Sequence, residues 1–587
     1  MRLLLLFLVL LTLPVLAQTE SEKANALFER AYQAHLERNP EEMSRLGMKR
    51  DYGKWTDRSD QFDQEELELT KKFLAELRQS VDPKKLDPQT RLSYDLFVRE
   101  SQQDIEAFPY RYHNYPVNQM FGIHAEIPTF MANVHSVGSL DDARAYLSRL
   151  HGIKPMLAQV RQGLVERERR GILPPRFVFA RVLEDCNNIL TGAPFEGDGV
   201  NVFYGDFEQK VKKLELDEPI RKELLAEARQ ALLEDVGPAY RDLIALLEQQ
   251  QARADDRDGA WKLPDGDKFY AWALRRTTTT EMTADEIHNL GLAEVERIHG
   301  EMRAIMKKVG FKGTLSEFFT FMREDPRFYY PNTDEGRQQY LSDATAIVNR
   351  MKGRLDELFI TKPKADMLVK RVEPFRERSA GKAFYETPAL DGSRPGYYYA
   401  NLYNMADMPR YQMEALAFHE GIPGHHMQLS LAQELTGIPK FRKFLHPTAY
   451  IEGWGLYCEQ LPKEIGFYQD PYSDFGRLAM ELFRACRLVV DTGIHSRHWT
   501  RQQGIDYYLK NTPNSPGECV KMVERHIVMP SQATAYKVGM IKILELREQA
   551  RQRQGDKFDL RKFHEVVLTN GPVPLDTLQK LVEEQLP

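Results

Sequence analysis

The run Ala417-Phe418-His419-Glu420-Gly421-Ile422-Pro423-Gly424-His425-His426-Met427-Gln428 places three imidazoles and one carboxylate within eight positions, around a proline that an unbroken helix does not accept. Neutral imidazole is a good zinc ligand, and a carboxylate beside it can take a proton from zinc-held water. In the related H-E-x-x-H motif the second His follows one helical turn after the first. Here it follows six or seven positions after His419, at His425 or His426. On a straight helix that is a rise of roughly 9–10.5 Å. Two ring nitrogens each about 2.1 Å from one zinc must lie within roughly 4 Å of each other. Pro423 cannot donate to the carbonyl of His419, and Gly424 tolerates unusual backbone angles. The spacing therefore predicts one helical segment ending at His419-Glu420 and another opening near His425, with His425 or alternatively His426 as the second ligand. Glu420 is the candidate general base. Without a metal, the stretch is a His-rich helix end.

A third ligand is needed, and Tyr450-Ile451-Glu452-Gly453-Trp454-Gly455-Leu456-Tyr457-Cys458-Glu459 carries two carboxylates seven apart. This segment resembles the helix that brings the third zinc ligand in gluzincin peptidases. The resemblance implies Glu452 as that ligand, 27 residues after His425 and so across a longer loop than in the aminopeptidase branch. Glu459, two turns along the same face, is read as holding a ligand His in place; a solvated helix-face Glu is the plainer alternative.

Taken together, H-E-x-x-P-G-H-H-x-Q, E-G-W-x-x-Y-x-E and Pro530-Ser531-Gln532-Ala533-Thr534-Ala535-Tyr536-Lys537-Val538-Gly539 make the chain similar to the bacterial family called domain of unknown function 885. The matching motifs run from about residue 380 to 540. That family is regarded as zinc-peptidase-like, largely helical and often exported, and mostly lacks an assigned substrate. The resemblance implies a mainly α fold: a large helical, peptidase-like body with a small β-sheet next to a central active-site cleft. It also implies one Zn2+ per chain, and a Tyr phenol or His imidazole opposite the zinc to stabilise an oxyanion.

Met1-Arg2 followed by Leu3 to Leu13 and Val15-Leu16-Ala17 reads as a secretory signal peptide over residues 1–17. The apolar run is too short for a stable membrane span. No Cys follows the cleavage site to accept a lipid. A periplasmic or secreted protein is the expectation, with an uncleaved anchor as the alternative. The formal charge of −6, or −7 once residues 1–17 with their one Arg are removed, argues against a nucleic-acid partner. Cys186, Cys458, Cys486 and Cys519 are too widely spaced for a zinc ribbon; buried free thiols are preferred over disulfides.

Residues 18–260 read as a helical N-terminal region and 261–587 as the metal-site catalytic region, divided at the polar stretch from Ala252 to Asp267. Ala193 to Gly205 is a second candidate loop. Long helices are predicted at Ala24 to Arg38, Glu65 to Arg78, Thr90 to Ile105 and Leu140 to Arg170. Leu224, Ala228, Leu232 and Val236 recur every four residues as a buried stripe that Gly237-Pro238 interrupts or ends. Thr283 and Glu286 match a capping box before a helix to about Lys308. There is no P-loop and no G-x-S-x-G elbow.

Short aromatic runs around Val372-Glu373-Pro374-Phe375, Ala383-Phe384-Tyr385 and Gly396 to Leu402 predict strands of a small sheet. Tyr397 to Leu402, with Tyr398 and Tyr399, is the candidate edge for pairing with a peptide substrate. Arg484, Arg487, Asp491 and His495 share one helical face. Arg487 is a candidate substrate anchor and His495 a candidate oxyanion donor, and a self-satisfied Arg–Asp network is the alternative. Tyr536, positioned by Gln532, is the other oxyanion candidate. Three readings stand: an exported zinc metallopeptidase acting on short peptides or a small amide, a zinc amidase or lyase acting on a non-peptide, and a non-catalytic metal-containing periplasmic binding protein. Intact Glu420 disfavours the last. The sequence does not address oligomeric state.

Overall fold

Helix starts follow the capping chemistry written in the sequence. Thr283 accepts from the backbone N–H of Glu286, whose carboxylate caps Thr283 in return, and the helix runs Ala284–Lys308. Ser139 caps Leu140–Arg169 through the N–H of Asp142. The computed structural model describes residues 18–374, 377, 380–390, 392 and 394–587; the expected leader at 1–17 and Phe375 lie outside them. Within that range the chain is mainly α, with one small sheet.

The four long N-terminal helices run Glu20–Leu36, Asp60–Ser80, Pro88–Ala107 and Leu140–Arg169. The stripe Leu224, Ala228, Leu232 and Val236 is buried. Gly237-Pro238 does not stop that helix. A π turn at Leu232–Val236 leads straight into Gly237–Arg253, and the Glu234 carbonyl, four residues before the donorless Pro238, accepts instead from Lys154 Nζ (3.2 Å). The stretch around residue 260 is pinned to the body. Asp255 O accepts from Arg176 N (2.9 Å) and the Asp258 carboxylate from Arg501 N (2.7 Å). One cluster of buried apolar side chains includes residues on both sides of it, from Leu96 to Leu586.

The sheet consists of β1 (Met367–Arg371), β2 (Ala383–Glu386) and β3 (Gly396–Ala400). β3 lies in the middle, parallel to β1 and antiparallel to β2. The expectation that Tyr397 to Leu402 forms an open edge is therefore corrected: both edges of β3 are paired, and the strand that lines the cleft is β2.

The cleft is framed by α1 (Ile123–Asn133), α2 (Met413–Glu420), α3 (His425–Glu434), α4 (Thr448–Gln460), α5 (Pro471–Ser496), α6 (Pro516–Val528) and α7 (Ala535–Gln554). α4 and α7 cross at Gly453 and Gly539. A Cβ on Gly539 would lie 1.9 Å from the carbonyl oxygen of Ala449, so only two bare glycines allow this approach. All four cysteines are buried and free. Among the described residues, no helix is long and apolar enough to cross a membrane.

Candidate metal centre

α2 ends at Glu420 and α3 begins at His425, with the break at Pro423-Gly424 that the spacing predicts. A Cβ at Gly424 would sit 2.0 Å from the His419 carbonyl oxygen, so the chain can fold back this tightly only at glycine. The Pro423 carbonyl left over by the break accepts from the Trp454 indole N–H (2.9 Å) and the Cys458 thiol (3.4 Å) on α4. Those contacts tie the broken turn to the helix that carries Glu452.

The break swings His425 beneath His419, with ring centroids 4.7 Å apart and the rings nearly perpendicular. Glu452 Oε2 stands 3.7 Å from His419 Nε2 and 3.4 Å from His425 Nε2. One ligand atom from each of the three residues falls within 4.8 Å of the others. Two imidazole nitrogens and a carboxylate oxygen so converged have the donor chemistry of a tetrahedral zinc site with one open position. Electrostatics point the same way. Burial works against a charge on His419, but the Glu452 and Glu459 carboxylates outweigh it and hold the imidazole up at about 10. Burial opposes the Glu452 charge as well, yet the two imidazoles keep its carboxyl well below the usual range. Three carboxylates crowd two imidazoles, so the cluster favours a cation. Glu420, next along the chain, has its carboxyl raised by burial.

The centre opens onto a cavity of about 590 Å³, lined near the metal cluster by Glu420, Arg484, Arg487 and Tyr536 and farther out by α1 and β2. The Tyr536 ring lies nearly parallel to His419, with centroids 6.4 Å apart. It comes from the first turn of α7, which the Gly453–Gly539 crossing brings down onto α4.

A family model described as a bacterial protein of unknown function (DUF885) matches residues 40–582. The chain belongs to this family. A crystal structure of "the putative lipoprotein from Colwellia psychrerythraea" is 30% identical to it, with a TM-score of 0.91 over 97% of this chain and 99% of that one. A structure described in similar words, of unknown function, from Shewanella oneidensis is 18% identical, with a TM-score of 0.71 over 97% of this chain and all of the other; at that identity the likeness concerns the fold alone. No curated protein matches the chain.

In this DUF885 chain, several expected site residues meet at the cleft and others do not. Glu459 stands behind His419, with Oε1 2.9 Å from Nδ1. Gln532 donates to the Tyr536 hydroxyl (3.4 Å). Arg487 lines the cavity. His426 turns away from the cluster: its Nε2 donates to the Ala365 carbonyl (3.0 Å) and its Nδ1 accepts from the Tyr385 hydroxyl (2.9 Å). Both nitrogens are engaged, so the alternative ligand assignment is corrected in favour of His425.

His495 also lies outside the cavity lining. It is fully buried, accepting from the Ala260 N–H at Nδ1 (2.9 Å) and donating from Nε2 to the His526 carbonyl (2.9 Å). The oxyanion role expected of His495 is therefore withdrawn. Its neighbour Asp491 belongs to the same internal network, accepting from the Tyr270 hydroxyl (2.7 Å) and from Ser531 N (3.1 Å). That bond pins the turn leading to Gln532 and Tyr536. The polar face of α5 thus divides, with Asp491 and His495 holding structure and Arg484 and Arg487 facing the cleft. Tyr398 and Tyr399 are not cleft residues either. Tyr398 is buried against Tyr340, and Tyr399 stacks on Phe384 at 4.8 Å. As the middle strand, β3 has both faces packed. Sequence reasoning missed Arg525, which donates to Gln532 Oε1 (3.0 Å) and to the Tyr536 hydroxyl (3.3 Å). The one available signal is an arginine on the last turn of α6, close to the Pro530 motif.

Proposed function

We propose that this protein is an exported zinc-dependent hydrolase, a metallopeptidase related in its chemistry to the gluzincins, that cleaves the amide bonds of short peptides. The convergence of His419, His425 and Glu452 beside Glu420, at the floor of a cavity large enough for a few residues, carries this reading. The leader expected at residues 1–17 and the lipoprotein description of the Colwellia psychrerythraea structure support export.

Bound at this cluster, zinc supplies Lewis acidity for a carbonyl oxygen and lowers the pKa of water. Glu420 takes a proton from the attacking water, and its burial-raised carboxyl suits it to pass that proton to the departing amine nitrogen. The Tyr536 hydroxyl, aimed by Arg525 and Gln532, donates to the carbonyl oxygen as negative charge builds there. β2, which lines the cavity, lies alongside the path of an extended peptide.

Elemental analysis of the purified mature protein tests the metal: about one zinc per chain in wild type, and none in His419→Ala or Glu452→Ala. Glu420→Gln should keep its zinc and lose about 10²–10⁴-fold in peptide turnover. A wild-type protein that takes up no stoichiometric zinc when offered it refutes the reading.

A further inference from the structure

Three arginines surround Tyr536, and two of them are already engaged. Arg484 donates from Nη1 to the Met480 carbonyl (3.2 Å), and its Nη2 stands 3.3 Å from Glu459. Arg525 holds Gln532 and the Tyr536 hydroxyl. Arg487 differs. Its Nε and Nη1 are buried with no hydrogen-bond partner, and among the described residues no carboxylate stands within ion-pair distance of it. Only 5% of the residue is exposed, yet it lines the cavity, with its guanidinium 4.4 Å over the Tyr536 ring and 5.1 Å over the Phe483 ring. Leaving a buried guanidinium unpaired is costly. Its planar fork of donors matches a carboxylate with two parallel hydrogen bonds.

We propose that Arg487 anchors a free carboxylate on the substrate, so that the site takes peptides or N-acyl amino acids by their C-terminal end and cleaves close to it. The inference rests on the hydrolase reading above and names its substrate class. Distance limits the product. The Tyr536 ring is 4.4 Å from the Arg487 guanidinium and 6.4 Å from the His419 ring. The His419 ring and the Arg487 guanidinium are therefore at most about 11 Å apart, and at about 3.3–3.6 Å per extended residue only a few residues fit between the reacting carbonyl and the anchored carboxylate. The amide C–N bond breaks, water's oxygen joins the acyl carbon, one water proton ends on the departing amine, and the released fragment keeps the anchored carboxylate. The outer wall of the cavity carries apolar residues, Phe130 on α1, Val134 just after it and the half-exposed Phe121 just before it, interspersed with Arg45 and Glu126.

The test uses zinc-loaded mature protein with N-acetyl-Phe-Phe-Leu and its C-terminal amide. The acid is expected to show a kcat/KM at least tenfold above that of the amide. Arg487→Met should bring the acid down by about 10–100-fold, with zinc content and melting temperature retained, and Arg487→Lys should restore part of the loss. Equal rates for acid and amide in wild type, a comparison that needs no variant, overturn the anchor while leaving the hydrolase intact. So does an acid preference that survives in Arg487→Met. If neither peptide is cleaved, calorimetry on the same samples separates the two ideas. Arg487-dependent binding of the acid alone sustains the anchor and sinks the hydrolase. Absence of that binding overturns the anchor.

Discussion

Glu459 Oε1 stands 2.9 Å from Nδ1 of His419, on the far side of the ring from the Nε2 that faces Glu452. A carboxylate so placed favours the proton on Nδ1, which leaves Nε2 as the nitrogen turned toward Glu452. Glu459 is 1% exposed and shares its charge with Arg484. Glu459→Gln is expected to weaken zinc binding by about 10–100-fold without unfolding the protein. Competition with a chromogenic chelator measures this directly, and an unchanged zinc affinity would contradict the assignment.

His425 and His426 are adjacent, yet their substitutions should part cleanly. His425→Ala removes one of the three converged donors and should abolish stoichiometric zinc. His426→Ala removes the partner of Tyr385 and the Ala365 carbonyl, so zinc stays while stability falls by about 1–3 kcal/mol. Metal analysis beside denaturant titration of both variants decides the matter.

The crossing of α4 and α7 makes a steric prediction. Gly539→Ala drives a Cβ to 1.9 Å from the Ala449 carbonyl oxygen and 2.7 Å from the Gly453 Cα. The cost should equal or exceed the about 1–3 kcal/mol of ordinary overpacking, and Tyr536, one turn earlier, should move with the helix. Gly300→Ala, in an exposed helical position with nothing near the new carbon, should instead stabilise by about 1 kcal/mol. Denaturant midpoints of the two variants should move in opposite directions.

Acid should destabilise the protein through buried neutral histidines. His564 donates from Nδ1 to the Leu358 carbonyl and accepts at Nε2 from the Tyr457 hydroxyl, and burial pushes it down to about 3. The unfolded chain takes up this proton near pH 6.5, whereas the folded chain resists until about pH 3. The contribution is therefore complete above pH 6.5 and lost as pH falls below it, at about 1.4 kcal/mol per pH unit. His526, held down to about 4, adds in the same direction. Melting temperature should fall between pH 7 and pH 5, less steeply in His564→Gln; identical slopes would rule out His564 as a contributor.

The local chemistry of this chain was legible from residue order alone. Thr283 and Glu286 cap a helix because both groups lie within one turn of each other. Pro423-Gly424 breaks the helix between His419 and His425 because a proline lacks the donor that turn requires. Both effects act over a handful of bonds. Tertiary packing decided the rest. His425 and His426 differ by one position, and only the Tyr385 and Ala365 partners across the sheet turn His426 away. Arg487 and His495 lie on the same face of α5, yet one meets the cavity and the other meets Ala260 and the His526 carbonyl. The middle position of β3 and the reach of Arg525 to Tyr536 likewise depend on strands and helices distant in sequence. Helical and strand periodicity assigns a residue to a face, but what packs against that face is set by distant parts of the chain.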